Sequence, residues 1–209
     1  MKISNIMFGT ILTTGLAFSS VSLAAEPSKW ATDAPKKERQ TPQALYITAE
    51  NAYKWMKEDE NVVLVDVRTP EEWQFVGYTP MAQIMIPSVT FDYSKDNAEN
   101  FNAKKGRYAS AVNTDFVSQF EEKLFDLGTD KSTPYIIMCR SGATRAQPAA
   151  KMLDQYGYKN VYIMTDGFQG GKVKKGEKQG FRLKAGWKVD NPADSWTYKI
   201  DSEKAYFTK

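Results

Sequence analysis

Tyr135-Ile136-Ile137-Met138-Cys139-Arg140-Ser141-Gly142-Ala143-Thr144-Arg145-Ala146 carries more of the fold than any other segment of this chain. An uninterrupted apolar run, Pro134–Met138, suits a strand buried on both faces. A short polar turn with a glycine follows. A helical pattern then occupies Ala143–Tyr156 and stops at Gly157. Cys139 stands one residue past the strand, at its carboxyl end, where open α/β sheets place their ligands. The N–H groups of such a turn and of the first helical residues have no backbone partners. They also carry partial positive charge from the helix dipole, so strand, turn and helix together form a cradle for an anion. Arg140 and Arg145 lie within it, and arginine grips an oxyanion with paired hydrogen bonds. A cysteine at the mouth of such a cradle is favoured as the thiolate.

On either side of this segment, strand and helix patterns alternate. Thr48–Lys57 reads as a helix capped by Thr48, with Ala49, Ala52, Tyr53 and Met56 on one face. Val62–Val67 is a second buried strand and holds Asp66. Thr69-Pro70-Glu71-Glu72-Trp73 has the cap, the proline and the acids of a helix start. Ala82–Ile86 and Asn160–Met164 are further short strands, and Asn113–Leu127 is an amphipathic helix ended by Gly128. Gly167–Lys175 reads as a short helix. Phe91–Ser110 is polar, with little periodicity, and reads as a loop or insertion. The alternation indicates an α/β domain with a mostly parallel sheet.

Composition narrows the chemistry. The chain has 209 residues, 28 Lys+Arg, 25 Asp+Glu, one Cys and no His. Without histidine there is no Ser-His-Asp triad, no Cys-His dyad and no histidine-ligated metal. One cysteine forms neither an internal disulfide nor a C-x-x-C pair. The net charge of +3 gives no footprint for nucleic acid, and the lysines at 172, 174, 175 and 178 read as a solvated run. Asp92, Ser94 and Asp96 have the alternation of a calcium loop, but Asn97 stands where its glycine belongs and Ala103 where its closing glutamate belongs. No metal site and no cofactor motif is therefore expected.

The first residues read as an address. Lys2 precedes an uncharged, mostly apolar stretch, Ile6–Phe18, and small residues follow at Ser22, Ala24 and Ala25. This is the pattern of a secretory signal peptide, with cleavage after Ala24 or Ala25, and the stretch is short of the roughly 20 residues needed to span a bilayer. The expected division is a signal peptide at 1–25, an extended arm at 26–44, the α/β domain at 45–175 with its insertion near 91–110, and an extension at 176–209 that packs back through Trp187, Trp196 and Tyr198. The mature protein is expected in a bacterial periplasm or secreted, with no membrane association after cleavage. An unpaired thiol in an oxidising compartment is unusual, so it is either buried and inert or reactive by design.

Three motifs, in order, resemble the single-domain rhodaneses. Leu64-Val65-Asp66-Val67-Arg68-Thr69-Pro70-Glu71-Glu72-Trp73, with Gly77 and the run to Ile86-Pro87, resembles the first family signature. Ile136–Arg145 resembles the active-site segment, and Asn160-Val161-Tyr162 through Asp166-Gly167-Phe168 the strand and turn that follow. The resemblance covers roughly Thr41–Lys175. It implies a doubly wound, mostly parallel sheet with helices on both faces, and a sulfurtransferase without cofactor. Cys139 would take sulfur from a small anionic donor such as thiosulfate as a persulfide. It would pass the sulfur to a thiol acceptor, or to cyanide in an assay. Ser141, Gly142, Ala143 and Thr144 would contribute backbone donors, while Arg145 and Arg140 would hold the anion. Asp66 and Arg68 match a pair read as architectural. In many family members the arginine comes five positions after the cysteine; here Arg145 comes six after. The longer loop resembles that of rhodanese-fold phosphatases and arsenate reductases, so phosphate or arsenate chemistry is the alternative, with a sulfur carrier without turnover as a third reading. Gly77-Tyr78-Thr79-Pro80-Met81 departs from the usual Gly-His-Ile-Pro-Gly, at a place expected to form the pocket rim.

Overall fold

The computed structural model describes residues 25–94 and 98–207. The signal-peptide reading lies outside the described residues, apart from Ala25. So does part of the calcium-like spacing. The chain opens with β1 (Leu45–Ile47) and α1 (Ala49–Glu58), whose first turn is capped as Thr48 Oγ1 accepts from Asn51 N–H. Then come β2 (Val63–Asp66), α2 (Pro70–Val76) and β3 (Ala82–Met85). The short strands β4 (Val89–Thr90), β5 (Phe101–Asn102), β6 (Arg107–Tyr108) and β7 (Ala111–Val112) precede α3 (Phe116–Leu127). After these come β8 (Tyr135–Met138), α4 (Ala146–Gln155), β9 (Val161–Met164), β10 (Gly171–Lys172), β11 (Arg182–Lys184) and α5 (Trp187–Asp190).

Five strands make one sheet in the order β1-β9-β8-β2-β3, and every pairing in it is parallel. Parallel strands need crossovers, and helices covering both faces explain why these strands are largely apolar. Alternate residues of each strand serve opposite sides. Tyr135 and Ile137 of β8 join Phe116, Phe120, Ala149 and Leu153 beneath α3 and α4. Ile136 and Met138 join Ala49, Ala52, Trp73 and Trp187 on the other face.

Several expected elements are corrected. Gly167–Lys175 is not a helix: it turns and then pairs as β10 with β11 in an antiparallel ribbon. Glycine at 170 and 171 weakens a helix, and the partner strand that stabilises the extended form lies beyond the window read. α4 begins at Ala146 rather than Ala143, because residues 140–145 are spent on the turn. α3 begins at Phe116 rather than Asn113: the Asn113 side chain is buried and donates to Pro87 O at 2.8 Å. Within the insertion β5 and β6 pair as an antiparallel hairpin, and β4 and β7 pair on either side of it. Among the described residues no helix is long and apolar enough to cross a membrane.

The segments flanking the α/β unit pack on it. Ser28 N–H donates to Tyr162 Oη at 2.8 Å, Gln43 Nε2 to Ala150 O at 2.8 Å, and Trp30 packs against the core. Trp187 is 0% exposed, and its indole N–H donates to Ser195 O at 3.1 Å. The Gly77–Met81 loop lines no part of the central cleft. Tyr78 and Thr79 are buried, and Tyr78 exchanges backbone hydrogen bonds of 2.8 Å with Thr197 of the tail.

Candidate active site

β8 delivers Cys139 to the carboxyl edge of the sheet, and the chain then turns through Arg140–Arg145 before α4 begins. Among the described residues, the six backbone N–H groups of Arg140–Arg145 make no hydrogen bond. Unpaired amides at the start of a helix are the donors of an anion cradle. The carbonyls of the same turn are tied elsewhere: Phe168 N–H donates to Cys139 O and Gln169 N–H to Arg140 O, each at 2.9 Å. Two glycines permit this. Gly142 has φ +62°, and a Cβ there would lie 2.1 Å from Thr165 O. Gly167 has φ +66°, and a Cβ there would lie 2.3 Å from Cys139 O. Neither position admits a side chain without moving backbone.

Cys139 is 2% exposed and sits on the wall of a cleft of about 1370 Å³. Of the residues expected to bind substrate, Arg140, Ser141, Ala143, Thr144 and Arg145 line this cleft, while Gly142 is buried behind them. The insertion contributes Phe91, Tyr93 and Tyr108 to the lining of the same cleft. Their rings contact in sequence, with centroids 6.0 Å and 5.1 Å apart.

Arg145 is held by an acid that the sequence reading placed only in the first turn of a helix. Glu72 of α2 accepts from Arg145 Nη2 at 2.8 Å and, at its other oxygen, from Nη1. It also accepts from Thr69 N–H at 3.2 Å. Burial alone would raise the Glu72 carboxyl; the Arg145 hydrogen bond and charge, with Arg68 behind them, hold it below its ordinary value. Burial likewise disfavours the Arg145 cation, and Glu72 more than restores it. The spacing Thr69-x-x-Glu72 is a legible capping signal, but nothing local shows a partner 73 residues away.

Asp66 and Arg68 form an ion pair with both side chains 0% exposed. Arg68 Nη2 donates to Asp66 Oδ2 at 2.6 Å, and the guanidinium lies over the Phe168 ring at 3.7 Å. The pair thus braces the end of β2 against the turn that holds Cys139. Asp166 also lines the cleft; burial pushes its carboxyl up to about 6, although Ala49 N–H donates to it at 2.9 Å. Arg182, from β11, is a further cleft residue that the sequence reading missed. Among the described residues, no cluster of His, Cys, Asp or Glu could hold a metal ion.

An all-parallel sheet with a cysteine at the carboxyl end of a central strand, in a turn of unpaired amides, is an α/β arrangement suited to holding an anion beside a thiol. The rhodanese-like domain model matches residues 48–174, and the chain belongs to the rhodanese-like family. Uncharacterized protein RC0915 of Rickettsia conorii is 36% identical over 135 residues, 64% of this chain and 90% of the relative. Thiosulfate sulfurtransferase GlpE of Tolumonas auensis is 32% identical over 89 residues, 43% of this chain and 77% of that protein. The crystal structure of Rv0390 from M. tuberculosis is 23% identical, with a TM-score of 0.51, covering 73% of this chain and 96% of that one; this is a likeness of fold.

Proposed function

We propose that the protein is a sulfurtransferase that carries sulfane sulfur as a persulfide on Cys139. One observation carries the reading: the only thiol of the sequence opens onto a cleft at the start of a turn whose six amides have no partner among the described residues. The Cys139 thiolate attacks the outer sulfur of thiosulfate. A Sγ–S bond forms, the donor S–S bond breaks, and its electron pair leaves with sulfite. The unpaired amides then face the terminal sulfur, which bears the negative charge. An acceptor thiolate, or cyanide, next attacks that terminal sulfur, and the Cys139 thiolate departs. With no second cysteine, the persulfide cannot be resolved as an internal disulfide, so the acceptor is another molecule. The signal-like first residues support a site of action outside the cytoplasm, where N-terminal sequencing of the mature protein would show cleavage after Ala24 or Ala25.

Intact-protein mass spectrometry tests the mechanism. The protein should gain one sulfur atom after thiosulfate and lose it to cyanide, and Cys139→Ser should gain none. The six-residue spacing from Cys139 to Arg145 supports a second reading, in which the cradle takes a tetrahedral oxyanion. A free thiol that gains no sulfur, with turnover of aryl phosphate or arsenate, would replace the first reading with the second.

A further inference from the structure

The two arginines expected to hold the donor are not equivalent. Both terminal nitrogens of Arg145 are engaged by Glu72, so its charge is neutralised in place. Arg140 is exposed in the cleft and, among the described residues, has neither a hydrogen-bond nor an ion-pair partner for its side chain. Arg182 enters the same cleft from β11, outside the segment that matches the family. Among the described residues its side chain makes one hydrogen bond, from Nη1 to Gly170 O at 2.5 Å, and no ion pair. That bond leaves Nε and Nη2 without partners among the described residues.

We propose that Arg182 and Arg140 form an anion subsite over Cys139 that takes the oxyanion end of the sulfur donor. Arg182 is thus a specificity-determining residue supplied by the extension. The donor clause rests on the sulfur-transfer reading; the subsite does not. Two unpaired like charges lining one cleft with Cys139 repel each other, and a bound anion relieves that repulsion. Burial, and then the Arg140 charge, disfavour the Arg182 cation, while charge on Cys139 favours it. None of the carboxylates that line the cleft makes an ion pair with Arg140 or Arg182 among the described residues: Glu72 is paired with Arg145, Glu71 accepts from Tyr93 Oη, and Asp166 accepts from Ala49 N–H. The position of Arg182 is fixed by backbone. Trp187 N–H donates to Gly167 O at 2.8 Å and Lys188 N–H to Phe168 O at 3.0 Å. The segment after β11 is therefore stitched to the turn that holds the Cys139 carbonyl.

The test compares alkylation of Cys139 by anionic iodoacetate and neutral iodoacetamide in the full chain, at low ionic strength. Arg182→Gln should lower the iodoacetate-to-iodoacetamide rate ratio by roughly three- to tenfold, and Arg182→Lys should keep most of it. Lys174→Gln, which removes one charge outside the cleft, should leave the ratio as it is. The same Arg182→Gln should slow sulfur loading from thiosulfate at sub-saturating donor. An unchanged ratio in Arg182→Gln, or an equal fall in Lys174→Gln, would overturn the subsite. The iodoacetamide rate alone reports whether the turn is intact. A ratio that falls in a protein that takes up no sulfur would support the subsite and overturn only the sulfur-transfer reading.

Discussion

Glu72 shows how one side chain can serve a helix and an active site at once. Its carboxylate accepts from the Thr69 amide at the start of α2 and from both ends of the Arg145 guanidinium. Glu72→Gln keeps the size and loses the charge, so Arg145 is left half-buried without a counter-ion. The expected cost is about 1–3 kcal/mol of folding stability, with slower sulfur loading because the far end of the turn is no longer held. The pH dependence has a definite sign. The folded carboxyl lies below its ordinary value of 4.5, so its contribution is present above that pH and is lost as the solution is acidified through the lower, folded value. Urea midpoints of the two proteins should therefore differ at pH 7 and converge in acid. A constant difference would mean that the pair is not what the charge supports. The sequence shows this glutamate as an acid in the first turn of a helix, because its distant partner is brought near only by the parallel packing of β2 and β8.

Elements were legible where one period governed them and where their partners were local. Four of the five strands of the sheet are short apolar runs legible as such, whereas β1, only three residues long between the arm and the Thr48 cap, was not read; α1 and α2 begin at their own capping residues. The misreadings share one physical origin. Helical composition continues upstream of α4, but those residues instead form the turn over Thr165 and Gly167. The register of β10 depends on Arg182–Lys184, ten residues or more along the chain. Gly142 is where the turn is most exposed to test. Alanine at that position would need φ +62° and would drive its Cβ to 2.1 Å from Thr165 O. Backbone would have to move, so Gly142→Ala should cost more than the ~1 kcal/mol of an ordinary left-handed substitution, about 2–4 kcal/mol. Sulfur loading should fall further than stability does, because the displaced backbone is that of the cradle. Loading at the wild-type rate, with a denaturation midpoint unchanged, would show that the turn is not held against Thr165 as described.

At the scale of the whole molecule, the family segment ends before the fold does. The match stops at residue 174, yet Trp187 is one of the largest fully buried side chains and packs with Ala49, Ala52 and Phe168. Its ring meets Tyr53 edge-on, with centroids 5.9 Å apart, and Asn191 Nδ2 donates to Ala49 O at 3.2 Å. α5 therefore closes one face of the sheet beside α1 as a built-in part of the core. The extension from residue 176 onward, expected to pack back on the domain, thus shares the core of the α/β unit through Trp187. Truncating a buried indole costs about 3–5 kcal/mol, a large share of the 5–15 kcal/mol that holds a domain of this kind together. Trp187→Ala should lower the urea midpoint accordingly. It should also loosen the link from Trp187 N–H to Gly167 O and so reduce the influence of Arg182 on Cys139. The iodoacetate-to-iodoacetamide ratio should fall in this variant under conditions where it is still folded, as judged by far-UV circular dichroism. If the midpoint drops by less than about 1 kcal/mol equivalent, the extension is an appendage, and the positioning of Arg182 must come from the β10–β11 ribbon alone.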